Sequence, residues 1–500
     1  MTGPRHRGAE SAAPGDLRPA ARGGSADAAQ GARAVQDARR PVAQDGRAGI
    51  SGDDPRHAGR DDRAGQDASG HAAQGDRSAV LNDLVPGIME DPVAGGQDDQ
   101  AAGRFARMWD ELAAIGDGGA RGYRRFAWTA VDLELRAWFR AQAEARGMTW
   151  ERDRNGNEWA WWGTPGPDAV VTGSHLDSVP GGGAFDGPLG VVSAFLAIDL
   201  LRERGVVPER PVAVVDFSDE EGARFGVACV GSRLLTGVLA PEDARALRDA
   251  DGVTLAEAMR AAGADPAALG RDEQALGRIG AFVELHVEQG RALVDLDAPI
   301  GVASAIWPHG RWRCTFHGRA DHAGTTRLSD RHDPMPPFAA TVLAARESAR
   351  RLGALATFGK VGVDPNGTNA IASRVDAWLD ARAPDAATVR ALVAEVTRAA
   401  EDAAAGHGVR AEVTEESWTP VVEFGTGLRD RLAGVLGGVP ALPTGAGHDA
   451  GILSAHVPAA MLFVRNPSGV SHSPAEHAEP GDCLAGVRAL AAVLADLACR

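Results

Sequence analysis

Five hundred residues exceed what one hydrophobic core usually holds, so the length predicts two domains plus extra sequence. A formal charge of −16 argues against nucleic acid as the main partner, because phosphate binding needs a basic surface, and it favours cations nearby. No stretch approaches the roughly 18 consecutive apolar residues of a membrane span. The N-terminus also lacks the apolar core of a signal peptide, so a cytoplasmic protein with no membrane partner is expected.

Residues 1 to about 100 are rich in Arg, Asp, Gly, Ala and Gln with no sustained hydrophobic period. They are expected to be a disordered, low-complexity extension, and the compositional break makes Met89 a candidate internal start. Folded sequence is expected from Ala101, where Phe105, Met108, Trp109, Leu112 and Ile115 share one helical face. A second helix is predicted over about Ala130 to Arg146. The segment Met148 to Trp162 then reads as two strands joined by a turn at Asn155-Gly156.

The run Asp168 to Gly205 passes from an apolar strand, Ala169 to Thr172, through a Gly-rich loop into a helix beginning near Gly190. His175, Asp177 and Asp186 fall in the loop, where open α/β sheets place their ligands. A lone His-x-Asp is most often a capping or surface pair. Here Gly181, Gly182, Gly183 and Gly187 let the chain fold tightly enough to return Asp186 to His175. Asp177 can orient the imidazole, as carboxylates do for metal-bound histidines, so His175 is read as a metal ligand.

Two further units repeat this pattern. Val212 to Phe217 is an apolar strand ending in Asp219-Glu220-Glu221-Gly222. Adjacent carboxylates are usually a solvated charge run, but a run directly after a buried strand is a better site candidate. Ala281 to Leu293 places His286 among Glu284, Glu288 and Gln289; alone, such a histidine is more often a satisfied core residue.

From Ala303 to about Pro420 the order strand, helix, strand, strand, helix, strand predicts a small α+β domain inserted into the larger one. Its helices are expected at Phe338 to Leu352 and Ala387 to Ala405. The chain then returns to the larger domain with a helix near Leu428 to Leu436 and a closing helix over Asp482 to Leu497. His448 and His472 lie on loops flanking the apolar strand AAMLFVRN.

Scarcities prune the chemistry. Lys360 is the only lysine and is followed by Val361, so no phosphate-binding P-loop is present; no G-x-S-x-G elbow occurs either. Cys229, Cys314, Cys483 and Cys499 show no C-x-x-C pairing and read as buried or inert thiols. Proton transfer falls to histidines and carboxylates, which favours metal-assisted hydrolysis.

Taken together, GSHLDSVPGGGAFDG, SDEEGARFG, ELHVEQG, GRADHAGTT, NAIASR with WLDAR, TGAGHDA and GVSHSPAE resemble, in order, allantoate amidohydrolases, N-carbamoyl-L-amino-acid hydrolases and β-ureidopropionases. These belong to the dinuclear metallopeptidase superfamily with aminoacylase and carboxypeptidase relatives. The resemblance covers Ala101 to the C-terminus. It implies an α/β fold: an open mixed-sheet, metallopeptidase-like catalytic domain over residues 101–302 and 421–500, with an inserted α+β lid and dimerisation domain over 303–420.

It further implies two divalent metal ions per chain, zinc or manganese with cobalt possible. Asp186 would bridge them, with Glu221 and His472 on one and His175 and His286 on the other. Glu220 would be the general base. His322 would reach a partner subunit's site to stabilise the oxyanion, making the protein a homodimer. Asn369 and Arg382 would hold the substrate carboxylate, with Gln289 and His448 as further substrate contacts. Read without the family pattern, Arg382 ends a strand in a surface ion pair. Arg327 departs from the proline that relatives commonly carry. The implied reaction is cleavage of a ureido (N-carbamoyl) C–N bond in a small carboxylic acid, with allantoate first and, as the alternative, the reaction of an N-carbamoyl-L-amino-acid hydrolase or a β-ureidopropionase. A dipeptidase or deacylase and a metal-free binding protein are more remote alternatives.

Overall fold

The computed structural model describes residues 87–89 and 97–499. Most of the extension expected to be disordered lies outside the described residues. Residues 87–89 and 97–100 are helical, and Ile88 is fully buried in the main core. Folded sequence therefore reaches upstream of Ala101.

The chain begins with α1 (Gln97–Ala113) and α2 (Ala130–Ala145), the latter capped by the Thr129 hydroxyl, which accepts the Asp132 N–H. A hairpin of β1 (Thr149–Arg152) and β2 (Glu158–Trp162) follows. Next come β3 (Ala169–His175), α3 (Pro188–Glu203), β4 (Val212–Phe217), β5 (Ile279–Val287) and β6 (Ile300–Ile306). With β13 (Val422–Glu423), β14 (Ala441–Thr444) and β15 (Ala459–Val464) these strands build a nine-stranded sheet. Its order is β1-β2-β4-β3-β5-β15-β6-β13, with β14 beside β6. The centre, β4-β3-β5-β15, is parallel; β1, β2, β6 and β13 pair antiparallel at the margins, and β14 runs parallel to β6.

Every residue of β3, β4 and β15 is buried, as expected of parallel strands covered on both faces. The two-residue period sends Val170, Val212, Val283 and Leu462 toward α3 and the closing helix α6 (Pro480–Ala498). Val171, Ala213, Phe282 and Met461 face a second core on the opposite side. Each fully buried Phe or Leu contributes about 1.5–3 kcal/mol, so these two cores fix the strand ends firmly.

A separate four-stranded antiparallel sheet has the order β12-β7-β11-β9. Its strands are β7 (His309–His317), β9 (Leu355–Asp364), β11 (Arg374–Arg382) and β12 (Arg410–Thr419). Burial alternates along β11, and the helices α4 (Met335–Leu352) and α5 (Ala386–Gly406) pack on the apolar face. Two short strands, β8 (Asp321–His322) and β10 (Ala370–Ile371), pair outside it. The change of sheet comes later than Ala303. Ala303 and Ile306 complete β6 and are buried in the large sheet's second core, so the smaller sheet starts at His309. Arg327 holds φ −61°, the value a proline would impose.

No described helix is long and apolar enough to cross a membrane. The four cysteines are free; Cys229, Cys314 and Cys483 are buried and Cys499 is partly so.

Candidate active site

β3 runs three residues beyond Thr172, because backbone pairing of Gly173, Ser174 and His175 with Val215, Asp216 and Phe217 needs no apolar side chain. His175 thus ends the strand itself, and His286 lies on the neighbouring β5. Both rings are fully buried. The loop after β3 returns Asp186 to them. Gly187 holds φ +85°, and a Cβ there would stand 2.5 Å from the His175 ring, so only glycine fits.

Asp186 is the hub. Its Oδ1 lies 3.1 Å from His286 Nε2 and 3.6 Å from His175 Nε2. Its Oδ2 lies 3.3 Å from His472 Nε2, which stands 3.6 Å from Glu221 Oε2. Two groups of candidate ligands share this one carboxylate: His175, Asp186, His286, and Asp186, Glu221, His472. In each, the ligand atoms lie within 4.8 Å of one another.

The donor set fits metal ions. His286 Nδ1 is 2.9 Å from the Val287 carbonyl and His175 Nδ1 is 3.2 Å from the Asp177 carbonyl, which leaves each Nε2 lone pair turned to Asp186. Both Nε2 atoms and Glu221 Oε1 are buried without a hydrogen-bond partner. Orphaned lone pairs around a carboxylate are costly in a folded protein and are the ligands a divalent cation takes.

The electrostatics agree. Burial is the largest influence on Asp186 and opposes its ionisation, yet His175, His286 and His472 together hold it well below the usual carboxylate range. Burial, then the charge of Asp186, pushes Glu221 up to about 7. Glu220 is raised well above its ordinary value by burial, which His175 opposes and Asp449 and Glu221 reinforce. The pocket holds a surplus of buried acid that cations would relieve.

The Asp177 carboxylate lies between the His175 ring and the loop after β4. Its Oδ1 is 3.4 Å from His175 Nδ1, while its two oxygens accept the backbone N–H groups of Glu220 and Glu221, each at 3.1 Å. It therefore clamps the loop after β4. Glu220 is buried, with Oε2 3.7 Å from His175 Nε2 and Oε1 accepting the Cys229 thiol at 3.3 Å. Gln289 Nε2 donates to Asp186 Oδ2 at 2.7 Å. The His448 ring stands edge-on to His286 with centroids 4.5 Å apart, and its Nε2 is buried and unpartnered.

Of the other three expected residues, Arg382 ends a strand of the smaller sheet, His322 lies on the short strand β8 and Asn369 in the turn before β10. Arg382 forms a two-pronged ion pair with Asp380 at 2.7 and 3.0 Å, the in-strand pairing expected without the family pattern. Its remaining arm donates to the Gly445 carbonyl at 2.6 Å, three residues before His448. His322 and Asn369 are exposed and close to each other: His322 pairs with Ala370, and Ala323 N–H donates to the Asn369 carbonyl at 3.0 Å. Among the described residues no hydrogen bond or ion pair joins them to the Asp186 cluster.

Three buried acids are additions to the expected set. Glu284 accepts Ser174 Oγ at 2.7 Å and Ala450 N–H at 3.0 Å. Asp449, pushed up to about 8 by burial and by Glu284, accepts the Ser232 hydroxyl. Glu476 accepts the Asp186 N–H at 2.7 Å. A carboxylate at the second position before His286 in an otherwise apolar strand was the available signal for Glu284.

A mixed α/β sheet covered on both faces, with one carboxylate shared between two groups of candidate metal ligands at its parallel strand ends, fits a hydrolase that uses metal ions. The chain belongs to Peptidase family M20/M25/M40, which matches residues 171–496. It is 38% identical over 394 residues to the N-carbamoyl-L-amino acid amidohydrolase of Geobacillus stearothermophilus, covering 77% of this chain and 96% of that protein. It is 34% identical over 396 residues to the allantoate amidohydrolase of Escherichia coli strain K12, again covering 77% and 96%. The solved structure of a hydantoinase/carbamoylase family amidase from Burkholderia vietnamiensis superposes with TM-score 0.74 at 31% identity, over 80% of this chain and 98% of that one. Within the family this chain is an amidohydrolase, a hydrolase of C–N bonds. A Bacillus subtilis protein of the M20 family, 14% identical and alike in fold with TM-score 0.50, is described as a dinuclear metal binding peptidase.

Proposed function

We propose that this enzyme hydrolyses the ureido C–N bond in small acids whose ureido group and carboxylate sit on the same carbon. The products are an amine, carbon dioxide and ammonia. In allantoate that carbon carries a second ureido group; in N-carbamoyl-L-amino acids it carries an amino-acid side chain. The reading rests above all on one observation: the Asp186 carboxylate is shared by two groups of candidate ligands, in which His175 Nε2, His286 Nε2 and Glu221 Oε1 are buried without a hydrogen-bond partner, with Glu220 beside them.

His175 and His286 would hold one divalent ion and Glu221 and His472 the other, with Asp186 common to both; zinc, manganese and cobalt all suit the donors. When bound, such a pair lowers the pKa of a water and polarises a carbonyl oxygen. Glu220 takes the proton of the attacking water and passes it to the leaving nitrogen, a role its burial beside His175 supports. Asp177 keeps Glu220 and Glu221 in register through their backbone N–H groups. His448 Nε2, buried and free of protein partners, is available to the ureido group. Arg382 holds the substrate carboxylate with the N–H groups that Asp380 and Gly445 leave over. His322 and Asn369, exposed and apart from the cluster, complete the site of a second copy in a homodimer.

The test is a turnover panel of metal-loaded enzyme against allantoate, N-carbamoyl-L-amino acids, N-carbamoyl-β-alanine and dipeptides. Ammonia release from the ureido acids is expected. Turnover of dipeptides alone would replace this reading with a peptidase.

A further inference from the structure

Glu476 joins the two loops that carry Asp186 and His472. Its Oε1 accepts the backbone N–H groups of Phe185 at 2.9 Å and Asp186 at 2.7 Å, and its Oε2 accepts the hydroxyl of Ser471 at 3.2 Å. Ser471 immediately precedes His472, and its hydroxyl also lies 3.3 Å from Asp186 Oδ2. The segments joined are some 290 residues apart in sequence, so no local turn could hold them together. Glu476 is only 5% exposed, and Gly183 makes room for it: a Cβ at Gly183 would stand 2.4 Å from the Glu476 Cβ.

The two ligand groups differ in how they are held. His175 and His286 sit on paired strands of the sheet and are fully buried. His472 sits on a loop at φ +54°, with its side chain 52% exposed. In the first group the sheet fixes both histidines, and only the shared Asp186 lies on a loop that Glu476 holds. In the second, Glu476 binds the Asp186 and His472 loops to each other by three hydrogen bonds, beside the Ser471–Asp186 contact and Gln289, which donates to both Asp186 and Ser471.

We infer that Glu476 is a positioning residue that sets the metal affinity of the Asp186, Glu221, His472 group and leaves the Asp186, His175, His286 group largely unaffected. This rests on the two-ion reading given above. Removing a side chain that orients metal ligands typically weakens binding about 10–100-fold. Glu476→Ala should therefore keep one tight ion and bind the second about 10–100-fold more weakly. Glu476→Gln should fall between it and the native enzyme, since its amide oxygen still accepts from Phe185 and Asp186.

The experiment is calorimetric titration of Zn²⁺ into the metal-free native enzyme and both variants, with ions per chain counted by elemental analysis and folding checked by circular dichroism. If the native enzyme binds fewer than two ions, the two-ion reading itself fails. If it binds two and the folded variants bind both ions with native affinity, or lose both equally, the role of Glu476 is overturned. Should Glu476→Ala not fold, Glu476→Gln decides by the same criteria.

Discussion

The two sheets present their functional side chains in opposite ways. At the parallel strand ends of the large sheet, His175, His286, Asp186 and Glu220 are buried among one another, held by backbone pairing and by Asp177. On the small sheet's side, His322 stands exposed on a short strand and Asn369 in the turn before its partner strand, with no described bond to that cluster. The contrast teaches a division of labour. In the proposed function the buried groups with orphaned lone pairs take ions and move protons, and the exposed donors serve a second copy.

Breaking the buried half should have the largest effect. Chelation should abolish turnover, and reloading should restore it, with activity and ions per chain measured on the same sample. Full activity in protein verified as metal-free would remove the buried cluster from catalysis. A smaller but still severe loss is expected from Glu220→Gln, because an amide cannot accept the water's proton. Loss of a general base costs about 10²–10⁴ in rate. The variant should keep its metal content, so near-native kcat, or loss of the ions, would deny Glu220 that role.

Much of this division was legible in the sequence, and the exceptions have physical causes. The order of elements in the small domain, strand, helix, strand, strand, helix, strand, was legible along the chain, because one face of each element is buried. The strand β3 read short because Gly173, Ser174 and His175 are not apolar, although their backbone continues the ladder. The boundary read early because Ala303 to Ile306 show no compositional break from the strand residues after them. His286 left two readings open on sequence alone. The structure shows a ring satisfied at Nδ1 and orphaned at Nε2, a distinction no single-residue pattern can carry. Glu476 escaped notice because its partners are backbone N–H groups about 290 residues away.

The exposed half should matter less per residue than the buried base, and it should act between copies. A donor placed where oxyanion charge develops is worth on the order of 10²–10³ in rate, so His322→Ala should be strongly impaired on its own. The most direct measurement mixes His322→Ala with Glu220→Ala under conditions that exchange subunits. In the mixed dimer one site lacks both groups, while the other combines native Glu220 with native His322 from its neighbour. If catalysis requires the buried cluster of one chain and the exposed donor of another, activity should recover to about half the native value per mixed dimer, by independence of the two sites. No recovery despite confirmed exchange would contradict that division.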